Sequence, residues 1–346
     1  MRTRTSLKYS VCVAALGAAF VFTATQPVDA QRESVRWNTS DVGSYGYSVA
    51  SIMVDLLDQA LGDDYTVTVH PYPSTTAAKL ATMDGEGEIS YTADVGMRQL
   101  YDREGPFEDY DPAAGELVHT FYAYPMETHL VVPAEAADQY DSWGDFAGEP
   151  VFFTPAGYMN WLNMGRIFAA LDLEQNHVEI DSATTADALE AGSIVAAASY
   201  TTAGVSLPTW WREAELRIDI EAINPSDEEV ETLRAAGLSV VEIDPSEAYT
   251  QDFSVDRILA VPIYFGYNVR ADMDEEVVYQ MLTVFHENID DLVAGDPGFG
   301  PLASDFVGTQ AAGVAANPDI PVHPGLARFL EEHDAWDDSW TIVDGA

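Results

Sequence analysis

The sequence predicts an α/β fold of two lobes. Strand-like and helix-like stretches alternate from about Ser34 to Leu292, an order that builds α/β layers with largely parallel sheets. A long apolar stretch, Leu259 to Val269, lies late in the chain, where it can return the chain from a second unit to the first. No low-complexity linker and no internal repeat separates the units, as expected for lobes joined by chain crossings.

The elements follow from local pattern. Ser34 to Thr39 is a short strand before the turn Gly43-Ser44-Tyr45-Gly46. Val49 to Leu61 carries apolar residues at Val49, Ile52, Met53, Leu56, Leu57 and Ala60, which is helical spacing. Tyr65 to His70 alternates as a strand, and Thr75 to Met83 is helical. Glu88 to Tyr91 and Thr128 to Val132 are strands. A second unit starts near Pro133, with strands at Pro150 to Thr154, Ile194 to Ser199 and Val240 to Ile243. Its helices are Trp161 to Leu171 and Thr184 to Ala191, the latter stopped by Gly192. Asp274 to Leu292 is one long amphipathic helix with acidic residues at its start. The lobes expected are residues 31–132 with 266–346, and residues 133–265.

The first thirty residues set the compartment. Arg2, Arg4 and Lys8 precede an apolar run from Val11 to Phe22, and Val28-Asp29-Ala30 supplies a small-x-small cleavage site. Residues 1–30 therefore read as a secretory signal peptide, and the remainder as a periplasmic protein. The run is shorter than the about 20 residues of a spanning helix. Cys12 is the only cysteine, so disulfides, thiolate catalysis and Cys-ligated zinc are excluded beyond it.

Charge is extreme. Beyond Ala30 there are 57 acidic and 12 basic residues, and Lys79 is the only lysine. The acid is spread along a chain with ordinary aromatic and aliphatic content, so the pattern is a solvated acidic surface suited to high salt, a halophilic trait. Nucleic acid and anionic membranes are excluded as partners. An acidic ligand is not, because at about 1 M salt the screening length is roughly 3 Å.

Motifs for catalysis are missing. His286-Glu287 lacks the second histidine of a zinc protease. Asp84-Gly85-Glu86-Gly87-Glu88 lacks the downstream glutamate of a calcium loop. There is no phosphate-binding loop, dinucleotide fingerprint or nucleophile elbow. No metal or cofactor is expected, and the chain is not read as an enzyme.

Polar turns after strands remain. They are Ser44-Tyr45-Gly46-Tyr47, Tyr72-Pro73-Ser74-Thr75-Thr76, Tyr91-Thr92-Ala93-Asp94, Pro155-Ala156-Gly157-Tyr158-Met159-Asn160 and Ser199-Tyr200-Thr201-Thr202. Ligands of open α/β sheets bind beyond the carboxyl ends of strands, and free N–H groups at helix starts hold anions. The candidate ligand residues are Ser44, Tyr45, Tyr47, Ser74, Thr75, Thr92, Asp94, Gly157, Tyr158, Asn160 and Tyr200. Each serine, threonine or asparagine is equally a helix cap, and each aromatic equally a packing residue.

These residues carry a resemblance. Ile320-Pro321-Val322-His323-Pro324-Gly325-Leu326-Ala327-Arg328-Phe329 is similar to the Pro-Leu-His-Pro-Gly-Ala stretch of the TAXI-type solute receptors of tripartite ATP-independent periplasmic (TRAP) transporters. Glu276-Val277-Val278-Tyr279 resembles that family's late helix, and Ser44-Tyr45-Gly46-Tyr47 sits where its members carry Gly-Thr-Tyr-Tyr. Asp94 falls at the acidic end of the Gln-Ser-Asp turn, and Pro155 to Leu173 aligns with the glycine-rich loop and helix. The resemblance covers nearly the whole chain beyond residue 30. It implies a type II periplasmic-binding-protein fold with a ligand cleft between its two lobes, a membrane permease as partner, and a small organic acid as ligand: glutamate-like, oxo-dicarboxylic or aromatic. A monomer is expected. Where the family has Gly-Ser-Gly-Thr, this chain has the bulkier Gly157-Tyr158-Met159-Asn160, and Ala78 replaces a common amide. Two other readings compete: an exported hydrolase with an acidic pair, and a sensor of the same fold.

Overall fold

The computed structural model describes residues 32–343 apart from Asp63, so the expected signal peptide lies outside the described residues. Two long strands organise the molecule. They are β4 (Leu117–Pro133) and β9 (Ile258–Arg270), which pair antiparallel with each other. The remaining strands are β1 (Glu33–Thr39), β2 (Tyr65–Pro71), β3 (Ile89–Ala93), β5 (Val151–Phe152), β6 (Ala196–Thr202), β7 (Ile220–Ile223) and β8 (Val241–Ile243). The order is β2-β1-β3-β9-β4-β6-β5, with β7 on β4 and β8 on β9. The late half of β9, Phe265 to Val269, pairs with β3, and the late half of β4, Met126 to Val131, pairs with β6. Two half-sheets are thereby joined through two shared strands. The two-lobed α/β fold predicted from sequence is the fold observed.

Each half has its own core. In the first, Trp37, Met53, Leu57, Tyr91, Tyr267 and Phe285 pack together. In the second, neighbouring residues of a strand serve opposite faces, as a period of two requires. Leu130 and Val132 join Trp143, Phe146 and Phe168 on one face, while Val131 joins Phe152, Trp211 and Ile258 on the other. Both faces being buried, β4 loses the alternation that marks a half-exposed strand. That is why sequence pattern found only its last residues.

Two expectations need correction. The sheet is not largely parallel: β1 pairs parallel with β2 and β3, and β5 with β6, but every pairing of β4 and β9 is antiparallel. Strand-helix alternation reports the first kind and is blind to partners a hundred residues away. The helix expected over Asp274–Leu292 is two, Glu275–Glu287 and Ile289–Gly295. Asn288 ends the first by returning its side-chain amide to the Val284 carbonyl at 2.8 Å.

The crossing between halves is tightly built. Pro125 lies in β4 and Pro262 in β9, each removing one ladder N–H where the strands pass between lobes. Gly266 stands where a Cβ would come within 1.9 Å of the Phe121 carbonyl. Only glycine fits there. No helix among the described residues is long and apolar enough to cross a membrane.

Candidate functional site

The helices that matter are α1 (Tyr45–Leu61), α2 (Thr75–Met83), α3 (Asp94–Tyr101) and α4 (Met159–Ala170). Each follows a strand of its own half, and the N-termini of α1, α2 and α4 meet at the gap between halves. Ser44 caps α1, accepting the Tyr47 N–H at 3.2 Å, and its Oγ lies 2.7 Å from Ser40 Oγ. Ser74 caps α2 by accepting the Ala77 N–H at 3.2 Å. The capping role and the candidate ligand role therefore fall on the same serines.

The second half reaches across to these turns. Gly157, at φ +89°, points its carbonyl at the start of α2. That oxygen accepts from Thr75 Oγ1 at 3.1 Å, Thr76 Oγ1 at 2.9 Å and the Thr76 N–H at 3.3 Å. The left-handed turn suits glycine, and a Cβ here would lie 3.1 Å from Ser74 Oγ. Tyr158 donates its hydroxyl to Asp41 of the first half. Burial first, then Asp41, holds that hydroxyl protonated far above its usual range.

Two adjoining hollows lie beneath this clasp. The outer measures about 170 Å³ and is lined by Asp41, Ser44, Thr154, Tyr158, Asn160, Asp181, Tyr200 and Trp210, among others. The inner measures about 20 Å³, between Tyr45, Thr75, Tyr91, Met126, Met159 and Phe265. That is room for about one water. Of the sequence candidates, Ser44, Tyr45, Thr75, Tyr158, Asn160 and Tyr200 line the pair of hollows, while Ser74 and Gly157 form the clasp. Asn160 accepts from Thr128 Oγ1 at 2.6 Å, which fixes its amide against β4. Tyr45 donates to Asp296 at 2.7 Å.

Three candidates sit elsewhere. Tyr47 is half-buried on α1 and lines neither hollow. Thr92 is buried behind the gap, its Oγ1 3.8 Å from Met159 Sδ. Asp94 opens α3, accepts the Tyr264 N–H at 2.9 Å, and lines a separate hollow of about 700 Å³. Burial raises its pKa, partly opposed by Arg166.

Several lining residues were missed. Thr154 combines φ +104°, unusual for a β-branched residue, with a buried Oγ1 that has no hydrogen-bond partner among the described residues. Such strain is of order 1–3 kcal/mol and concentrates at functional sites. Asp41, which accepts from Tyr158, and Asp181, which caps the turn Ser182–Thr184, line the outer hollow together with the starts of α1 and α4, so the hollow offers acceptors and N–H donors together. Nothing in the sequence marks these two among so many acids. The His-Pro-Gly stretch, in contrast, serves the fold: His323 caps the helix Pro324–Glu332, Nδ1 accepting from Gly325 N–H at 3.1 Å and Nε2 facing the Met273 carbonyl at 2.9 Å.

The profile of the NMT1-like family matches residues 38–333. The chain belongs to the NMT1-like family. The match takes in both halves of this NMT1-like protein, every lining residue above and both long strands. No curated protein matches the chain. Among solved structures it is similar to the periplasmic aliphatic sulphonate binding protein SsuA from Escherichia coli, at 12% identity and a TM-score of 0.47, over 87% of this chain and 79% of that one. A putative L-cystine ABC transporter protein from Listeria monocytogenes is similar at 14% identity and 0.47, over 77% and 95%. The P235GK mutant of ArgBP from T. maritima is similar at 9% and 0.45, over 79% and 96%.

Proposed function

We propose that this NMT1-like protein is an extracytoplasmic solute-binding protein that captures a small organic acid and delivers it to the membrane permease of a TRAP transporter. One observation carries the reading: turns from both halves hydrogen-bond across a single gap, Gly157 to Thr75 and Thr76 and Tyr158 to Asp41, over a polar hollow. The lobes are residues 31–132 with 266–346 and residues 133–265, sharing β4 and β9, and they hinge where those strands cross. The resemblance to TAXI-type receptors supports the permease as partner. The signal-peptide pattern supports export to the periplasm, and the protein acts there as a monomer.

The lining narrows the ligand. A hollow of about 170 Å³ is below the about 300–1,000 Å³ of drug-sized pockets, so the solute is compact. Asp181 favours an ammonium, and the N-termini of α1 and α4 favour a carboxylate. A glutamate-like acid carries both groups. Thr154 Oγ1 and Asn160 add hydrogen bonds, and Tyr200 and Trp210 add apolar contact. The lining contains no histidine and no cysteine, and its two carboxylates are both hydrogen-bonded, Asp41 by the Tyr158 hydroxyl and Asp181 by the Ala183 N–H, an arrangement that suits gripping a ligand without turnover.

The test is a thermal shift in molar KCl against amino acids, oxo-dicarboxylates and aromatic acids, repeated with Thr154→Val and Tyr158→Phe. Ligand at 100 times its dissociation constant stabilises by about 2.7 kcal/mol. A stabiliser lost in both variants and recovered unchanged after incubation is the expected result. Conversion of the compound would establish the hydrolase reading instead, and no stabiliser in any class would overturn the receptor reading.

A further inference from the structure

The hollow of about 700 Å³ is much the larger of the spaces described, and it is separate from the polar gap. Its walls come from both halves. From α4 come Trp161, Leu162, Gly165, Arg166 and Ala169, one helical face. From the first half come Val95 and Arg98 of α3, and Ala312 and Ala315 of the helix Phe306–Ala315. Pro262 and Tyr264 of β9 complete it at the strand crossing. Small residues on facing helices create the volume, and an indole and a leucine make part of the wall apolar.

Arg166 gives the hollow its chemistry. Eight of the arginines in this acid-rich chain pair with a carboxylate. Arg166 does not: among the described residues no carboxylate lies within 4.0 Å of it. Its Nε donates to Asn163 Oδ1 at 2.7 Å and one terminal nitrogen to the Pro262 carbonyl at 3.4 Å. Those two neutral acceptors hold the guanidinium in place and use two of its five N–H donors. Of the other charged groups of the hollow, buried Asp94 feels the charge of Arg166 from beyond ion-pair distance, and the rest are engaged elsewhere or exposed. Asp94 accepts from Tyr264, Arg98 is bonded to Asp102 and Asp319, and Glu104 is exposed. A guanidinium with spare donors in a partly apolar recess fits a carboxylate, which it can take in two parallel hydrogen bonds.

We propose that this hollow is a second binding site, for a small organic acid with an apolar body. The carboxylate takes the spare N–H donors of Arg166, and the body lies against Trp161, Leu162 and the alanines of the facing helix. Because α3 and α4 belong to different halves, an occupant touches both at once. The site does not depend on the polar gap and stands or falls separately from it.

Phenylacetate is the probe, with phenylacetamide as its uncharged counterpart, followed by calorimetry on the full chain in molar KCl. Phenylacetate should bind saturably with a dissociation constant of ~1 mM or tighter, and phenylacetamide at least ~10-fold more weakly. Arg166→Gln should weaken phenylacetate by ~10-fold or more. Gly165→Phe is the second variant: Gly165 lines the hollow and a Cβ there meets no atom within 4 Å, so the ring takes up space in the hollow and should abolish binding while melting remains cooperative. Thr154→Val, which alters the lining of the polar gap without removing a bond between the halves, should leave phenylacetate affinity unchanged. Absence of saturable binding, equal binding of the amide, or affinity unaffected by Gly165→Phe would each overturn the proposal. Loss in Thr154→Val alone would move the acid to the polar gap, sinking this inference and leaving the receptor reading intact.

Discussion

Lys79 makes a sharp prediction about stability. Its side chain is fully buried in α2, donates to the Gly96 carbonyl at 2.8 Å and lies 4.6 Å from the centre of the Phe107 ring. No carboxylate pairs with it among the described residues. Burial pushes its pKa down from 10.5 to about 7. Between those values the unfolded chain keeps the proton and the folded chain releases it, so stability rises with pH. From pH 7 to pH 9 the linkage amounts to about 2 kcal/mol, and the burden remaining at pH 7 is about 4 kcal/mol. Lys79→Met removes the titrating group and keeps a long flexible side chain. After deducting about 1 kcal/mol for the bond to Gly96, the variant should be more stable at pH 7 by about 3 kcal/mol. The assay is denaturant unfolding of both proteins in molar KCl at both pH values, followed by tryptophan fluorescence. The difference between the proteins cancels the other titrating groups, and it should shrink by about 2 kcal/mol at the higher pH. A difference independent of pH would refute the account of Lys79 as a buried, unpaired amine.

Gly266→Ala should destabilise by about 1–3 kcal/mol or more, because the added methyl would sit 1.9 Å from a carbonyl of the partner strand. Thermal melting checks it, and an unchanged midpoint would mean the strands can separate there. Glu127, at 6% exposure, accepts from Thr201 Oγ1 at 2.7 Å and the Gly204 N–H at 3.1 Å, and burial lifts its pKa to about 7. The folded state then holds the extra proton between about pH 4.5 and 7, so its contribution falls by about 3 kcal/mol as pH rises through that window. The stability difference from Glu127→Gln should follow that fall in denaturant titrations and level off above it.

Much of the fold was legible where local chemistry decides it. The limits of α2, Thr75 and Met83, follow from its cap Ser74 and its apolar spacing, and the structure has the same limits. Loss of the signal came with burial on two faces. The seventeen residues of β4 are almost all buried, so no alternation marked its first half, and the antiparallel partners of β4 and β9 are set by contacts across the whole chain. The site divides the same way. Ser44 and Ser74 were found because a cap at a strand-to-helix turn is a local pattern. Thr154 was missed because its φ of +104° is imposed by surroundings and not by its neighbours in sequence. Arg166 reads as an ordinary helix-surface residue, and only the facing alanines of a distant helix turn that surface into the wall of a hollow.

The acidic surface has a consequence for the proposed closure. Three bonds to Gly157 O and one from Tyr158 to Asp41 cross the gap, with weaker ones from Ser206 to Asp296 at 3.5 Å and from Thr92 to Met159 Sδ at 3.8 Å. At about 0.5–1.5 kcal/mol for each ordinary bond, discounted for partial exposure, they supply a few kcal/mol. Both lobes carry excess negative charge, so bringing them together is opposed by a repulsion that decays within the screening length. At about 0.1 M salt that length is about 10 Å and spans the gap, whereas at about 1 M it is about 3 Å and does not. The same few bonds therefore favour the closed form in strong salt and compete poorly in dilute salt. A ligand can shift such an equilibrium only by its preference for the closed form, and a few kcal/mol suffices when the two forms are near balance. If the protein captures a solute by closing as proposed, its acidic surface makes capture depend on the salinity around it, with Tyr158 and Gly157 as the contacts through which the dependence is felt.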